Sequence, residues 1–163
     1  MSRAFVKESD LEDLDLLPER MHSDLPNYIT REGLRILEDK VSRLLENMVV
    51  LKASDQFEAG SQLAVLQRDA RYYEERLRRA IVVDPPDQCR QVKFGHTVTL
   101  ADALENIYTF TLVGEDEADV DHGRISWATP IARRLVNREV GDEIVWPRAD
   151  GVLAVEITDI KAG

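Results

Sequence analysis

Apolar residues recur at alternating three- and four-residue steps along two stretches of the chain. The first holds Leu34, Leu37, Val41, Leu44, Met48 and Leu51; the second holds Ala59, Leu63, Leu66, Ala70, Tyr73, Leu77 and Ala80. Such spacing keeps one apolar stripe on one face of a helix, so it predicts two α-helices that bury their seams against each other. Only a short polar stretch around Ser54, Asp55 and Glu58 separates them. The simplest object that buries both stripes is an antiparallel coiled-coil hairpin, here read over residues 30–83. Thr30 is the predicted N-cap of a first helix running to about Lys52. Asp39 with Arg43, Glu74 with Arg78 and Glu75 with Arg79 stand four residues apart, acid first, and suit the outer faces of the hairpin. The second helix has to end before Asp84-Pro85-Pro86-Asp87, because consecutive prolines cannot extend it.

Beyond that tetrapeptide, which with the residues to position 91 reads as a linker, the period changes from helical to alternating. Val92-Lys93-Phe94, His96 to Leu100, Tyr108 to Val113, Arg124 to Trp127, Glu143 to Trp146 and Val152 to Ile157 read as strands. Pro130 is placed to open a short helix through Leu135. Residues 92–163 therefore predict a small antiparallel sheet with one helix on a face, and the chain as a whole an α+β protein.

Charge changes the picture at the ends of the chain. The formal net charge is −10, yet residues 30–92 carry eleven acids and eleven bases, so the excess acid lies in residues 1–29 and in the C-terminal segment. Residues 1–29 read as a solvated acidic arm broken by Pro18 and Pro26, with Leu11, Leu14, Leu16 and Leu17 as its means of docking. An acidic chain has no long-range attraction to bare nucleic acid, so any contact with DNA or RNA is expected to run through another protein. Cys89 stands alone, and with three separated histidines it makes neither a disulfide nor a zinc-ligand pattern, as expected of a reduced, cytoplasmic chain. No apolar run reaches the length of a membrane span, and the start lacks the apolar core of a signal peptide. The chain offers no Gly-rich phosphate loop and no nucleophile elbow. His22, His96 and His122 are scattered over arm, strand and loop, and Tyr72, Tyr73, Trp127 and Trp146 suit packing rather than chemistry.

The order and spacing of Phe94-Gly95, Val113-Gly114-Glu115-Asp116-Glu117-Ala118-Asp119, Ile125-Ser126, Pro130-Ile131-Ala132-Arg133 and Val140-Gly141-Asp142 resemble the C-terminal domain of the GreA/GreB transcript-cleavage factors of bacterial RNA polymerase. Ile29-Thr30-Arg31-Glu32-Gly33 is similar to the start of that family's first helix. The resemblance implies an FKBP-like C-terminal domain seated on the rim of the polymerase secondary channel, with Ala128, Thr129, Pro130 and Ile131 as an exposed docking contact. It also implies a hairpin that enters the channel, an acidic pair at its tip that shares Mg²⁺ with the polymerase active site, and no active site or stably bound cofactor of its own. It implies action as a monomer that meets nucleic acid only through the polymerase.

The family's tip motif runs Gly-Asp-x-x-Glu-Asn-Ala-Glu-Tyr. Ser54-Asp55-Gln56-Phe57-Glu58-Ala59-Gly60-Ser61-Gln62 keeps the acid pair and its spacing but has lost the Asn, the second Glu and the Tyr. Both ladders are shorter than the family's by roughly six to nine residues, about 9–14 Å of reach. Two readings of Asp55 and Glu58 stand side by side. As hard oxygen ligands they suit Mg²⁺ delivery. As Asp-x-x-Glu after a turn they also form a capping box, with Asp55 capping the second helix and Glu58 folding back on it. Function accordingly divides between stimulated cleavage of backtracked RNA, non-cleaving occupation of the channel, and a coiled-coil adaptor resembling the nucleoside diphosphate kinase regulators.

Overall fold

The computed structural model describes residues 17–54 and 58–163. These divide into two units, one of residues 17–25 with the described part of 36–79 and one of residues 26–35 with 80–163. These bounds differ from those read off the sequence, because Pro26–Arg35 and Ala80–Val83 belong with the sheet rather than with the arm and the hairpin.

In the hairpin unit, α1 (Arg31–Lys52) and α2 (Ala59–Arg78) follow the two ladders. Leu37, Val41, Ala59 and Ala70 are buried, while Leu44, Met48, Leu51, Leu63, Leu66, Tyr73 and Leu77 are half-buried. The antiparallel register follows from the cross-pairs: Lys40 donates to the Tyr73 hydroxyl at 2.7 Å, and Asn47, Val50 and Leu51 line one groove with Gln62, Val65 and Leu66. Burial alone would raise the Tyr73 phenol, but hydrogen bonds with Lys40 and Arg20 hold it below its ordinary value. Arg78 pairs with Glu75 one turn back, at 2.6 Å.

The described end of the acidic arm, from Leu17, docks on α2. Arg20 lies over the Tyr72 ring, 4.0 Å from its centroid, and 3.5 Å from the Asp69 carboxylate. His22 stacks flat on Tyr72 at 4.8 Å, Glu19 accepts from Arg71, and Arg79 donates to the Ser23 carbonyl. Reading this segment as merely solvated is corrected. Its cations and acids are matched to those of the α2 face, and its ring stacks on a tyrosine that the seam leaves uncovered.

In the other unit, β1 (Asn27–Ile29) pairs in parallel with β2 (Ala80–Val82). Ala80, the last step of the second ladder, is therefore in a strand. The helix ends at Arg78 because Ala80–Val82 take β1 as partner instead of continuing the turn. A five-stranded sheet follows, with β3 (His96–Asp102), β4 (Ile107–Val113), β5 (Arg124–Ser126), β6 (Glu143–Arg148) and β7 (Gly151–Ala162) in the order β5-β4-β3-β7-β6. The sheet is mixed, not antiparallel. β5 runs parallel to β4, with Thr111 opposite Arg124 and Val113 opposite Ser126. Ten residues carry the chain back before β5 starts, and a connection of that length can return the strand in the same direction where a tight turn cannot. Val92-Lys93-Phe94 is not a strand of the sheet. Val92 is instead buried, with its amide and carbonyl bonded to Arg138 and Asn137. Pro147 lies on the edge strand β6, where a residue without an N–H is tolerated.

The core of this unit lies between the sheet and α3 (Pro130–Leu135), built from Val98, Leu100, Leu112, Ile125, Ala132, Leu135, Ile144, Val155 and Ile157 among others. Trp146 packs edge-on against Tyr108 and Phe110, and Trp127 against Tyr28. Among the described residues no helix is long and apolar enough to cross a membrane.

Candidate functional site

Two places bear the residues that the sequence singled out, and a third emerges only from the structure. The first is the tip of the hairpin. Asp55 lies outside the described residues. Glu58 is exposed and is itself the residue before the first turn of α2, with helical φ and ψ and no side-chain cap hydrogen bond. The capping-box reading needs Glu58 inside the first turn, three residues after the cap. It stands instead at the cap position, so that reading fails for Glu58. Its carboxylate is presented to solvent. Among the described residues, no three of His, Cys, Asp and Glu come together where they could hold a metal ion.

The second place is the turn before α3. Thr129 caps that helix: its Oγ1 accepts from the Ala132 amide and donates to the Ser126 carbonyl at 2.8 Å. Pro130 follows as the first helical residue and is exposed, while Ala128 and Thr129 are half-buried. Ile131 is only 7% exposed and belongs to the core, which corrects its place in an exposed docking contact. The helix turns its apolar side, Ile131, Ala132 and Leu135, onto the sheet, so the surface left at this turn is Pro130 with parts of its two predecessors.

The third place was missed. Glu117 sits in the acidic run after β4, which reads as a solvated turn, yet it is 7% exposed. Its carboxylate accepts from the Thr30 amide at 3.0 Å, the Thr30 hydroxyl and the Gly114 amide at 2.9 Å, with Arg124 at 3.4 Å completing its charge balance. Thr30 Oγ1 in turn accepts from the Gly33 amide at 2.9 Å, the N-cap bond expected for α1. The Glu117 side chain occupies the space above Gly33 so closely that a Cβ there would lie 2.0 Å from Glu117 Cδ. A Cβ on Gly114 would come 2.4 Å from the Tyr28 carbonyl. Gly33 and Gly114 are thus required by contact rather than by backbone angle. The signal was present in two fragments, Thr30-Arg31-Glu32-Gly33 and Val113-Gly114-Glu115-Asp116-Glu117, but nothing in either shows that they meet.

The histidines are structural or peripheral. His96 is fully buried, accepting from the Lys93 amide at Nδ1 and bonded through Nε2 to the Pro86 carbonyl at 2.9 Å, which leaves neither nitrogen for a ligand. His122 meets Asp119 at 2.7 Å and holds that carboxyl below its ordinary value.

Residues 87–162 match the family model described as transcription elongation factor, GreA/GreB, C-terminal. The GreB elongation factor of Neisseria meningitidis is 32% identical over 158 residues, an alignment that covers 86% of this chain and 97% of that protein. The GreA elongation factor of Pseudomonas syringae is 30% identical over 152 residues, covering 82% and 96%. Among solved structures, a GreA/GreB factor from Nitrosomonas europaea is 29% identical and covers 82% of this chain and 98% of its own, with a TM-score of 0.42. With near full-length relatives at this identity, the chain belongs to the GreA/GreB family of transcription elongation factors.

Proposed function

We propose that this protein binds RNA polymerase at its secondary channel and modulates elongation by occupying that channel with its hairpin, stimulating transcript cleavage weakly or not at all. The chain is not the catalyst in this reading. The observation that carries it is the hairpin's construction: α1 and α2 have 22 and 20 residues, about 33 and 30 Å at 1.5 Å per residue, and bury a single seam. A slim rod with charged flanks suits a narrow, wet passage. Seated on the rim by the Pro130 turn, the sheet unit supplies the anchor. The shortened ladders and the loss of the family's Asn, Glu and Tyr at the tip favour occupation over catalysis.

One observation favours the second reading, stimulated cleavage. The Glu58 carboxylate is exposed and not spent on capping, so it remains available as an oxygen ligand to a Mg²⁺ shared with the polymerase. With Asp55 it would supply hard ligands, and two metals could then activate water and stabilise the leaving oxygen. A cleavage assay on backtracked elongation complexes separates the readings. Occupation predicts no added cleavage by the wild-type protein at saturating Mg²⁺, together with inhibition of an authentic cleavage factor in competition. Metal delivery predicts cleavage that falls by orders of magnitude in Asp55→Asn/Glu58→Gln while polymerase binding persists. Absence of polymerase binding would overturn both.

A further inference from the structure

Residues 86–93 belong to no helix and to no strand of either sheet, yet the segment is pinned at several points. His96 accepts from the Lys93 amide at Nδ1, so its Nε2 carries the proton and donates to the Pro86 carbonyl at 2.9 Å. Gln91 forms an isolated bridge with Glu139, and the Val92 amide and carbonyl bond to Arg138 and Asn137. These anchors frame a cleft of about 460 Å³, within the range of small-ligand sites, lined by Pro86, Gln88, Arg90, Gln91, Lys93 and Glu139. All of it lies in the sheet unit.

The charges on its walls are unevenly matched. Among the described residues of this unit, Arg31, Arg35, Arg124, Arg148 and Lys161 each meet a carboxylate, whereas Arg90, Lys93, Arg133, Arg134 and Arg138 do not. Lys93 donates instead to the Asn137 side-chain oxygen, a neutral acceptor that leaves its charge uncancelled and two of its three donors spare. Glu139 is the one acid among the lining residues, and it accepts from Gln91 Nε2 at 3.3 Å. In a chain of formal net charge −10, the cleft therefore carries one positive charge in excess.

We propose that this cleft binds a phosphate group, with Arg90 and Lys93 as its cations and Gln88 and Gln91 as its amide donors. The guanidinium of Arg90 offers a planar fork that matches two phosphate oxygens, and Lys93 adds a compact charge with donors to spare. Two cations exceed what a single carboxylate needs. They suit a group with a charge near −2 and three acceptor oxygens. Glu139 opposes the anion and sets the strength of binding, so the site releases its ligand readily. Long-range repulsion from an acidic chain disfavours an extended nucleic acid track, and the phosphate is met singly. The site holds whatever the hairpin tip does.

The test uses the full-length chain at an ionic strength held constant with potassium chloride. Inorganic phosphate, a metal-free nucleoside triphosphate and a short RNA oligonucleotide without terminal phosphate are each titrated, and the backbone amides are followed by NMR. Saturable shifts centred on residues 86–93 and 137–139 are expected, and the probe that binds most tightly names the source of the phosphate. Arg90→Gln is expected to weaken that binding about tenfold or more. Its melting temperature should stay constant, because Arg90 is exposed and meets no carboxylate in the fold. Glu139→Gln is expected to tighten binding about threefold or more, a gain that a damaged fold cannot produce. The proposal is overturned if no probe gives saturable shifts, or if the shifts spread evenly over all exposed cations. Unchanged affinity in Arg90→Gln overturns it too, as does a Glu139→Gln affinity no higher than that of the wild type.

Discussion

Glu117 shows how one side chain can carry a fold decision. A carboxylate taken out of water is tolerated only when its oxygens are matched, and here two amides, a hydroxyl and a guanidinium do so. Removing it leaves those donors unpaired, so Glu117→Ala is expected to lower stability by about 3 kcal/mol in urea unfolding. Gly33→Ala is expected to destabilise as well, because its Cβ would overlap the Glu117 side chain. Combined, the two should be clearly less than additive, because the shortened side chain at position 117 makes room for the new methyl, and a double-mutant cycle measures that coupling. Additive losses would show that Gly33 is needed for some reason other than Glu117.

Among the elements, the strap that residues 17–25 form along α2 depends on groups that titrate. The hydrogen bond from Arg71 holds the Glu19 carboxyl below its ordinary value of 4.5. A carboxyl depressed in the folded state stabilises above its unfolded value and loses that contribution as pH falls through the folded one. The strap is therefore expected to loosen below the ordinary glutamate range. Limited proteolysis at the Arg20–Met21 bond, or hydrogen exchange of residues 19–25, should quicken there before the hairpin amides do. Exposed ion pairs are individually weak, so Glu19→Gln is expected to reproduce the loosening at neutral pH without unfolding α2. Exchange that stays slow in the variant would mean that the stacked Arg20 and His22 hold the strap by themselves.

At the scale of the whole molecule, the docking proposed above rests on the exposed part of the α3 turn. Thr129 is engaged as the cap and Ile131 is in the core, so substitutions there confuse docking with folding. Pro130 is exposed and its missing N–H is needed by nothing at the first helical position. Pro130→Arg is expected to weaken polymerase binding by tenfold or more while the melting temperature stays nearly constant. Unchanged affinity in a direct binding measurement would move the contact elsewhere on this unit.

Periodic features were legible from the amino-acid sequence alone, because burial itself repeats along a helix or strand. The helical stretch of both ladders, the Thr30 cap and the α+β order can each be read locally, since the residues that decide them lie within a turn or two, whereas the end of the second helix at Arg78 is set by the pairing of Ala80–Val82 with β1. Family membership was legible for a related reason, as motifs such as Pro130-Ile131-Ala132-Arg133 keep their spacing. Strand direction was not, since alternation is the same whichever way a neighbour runs, and the parallel β5 depends on the path of the chain after Val113. Nor was the role of Glu117, which meets Thr30 from 87 residues away and looks in the sequence like any other acid in a charged turn. The pairing of β1 with β2, the burial of Ile131 and the docking of the strap have the same origin. Each depends on which surfaces meet once the chain has folded, and contacts between distant segments leave no period to read.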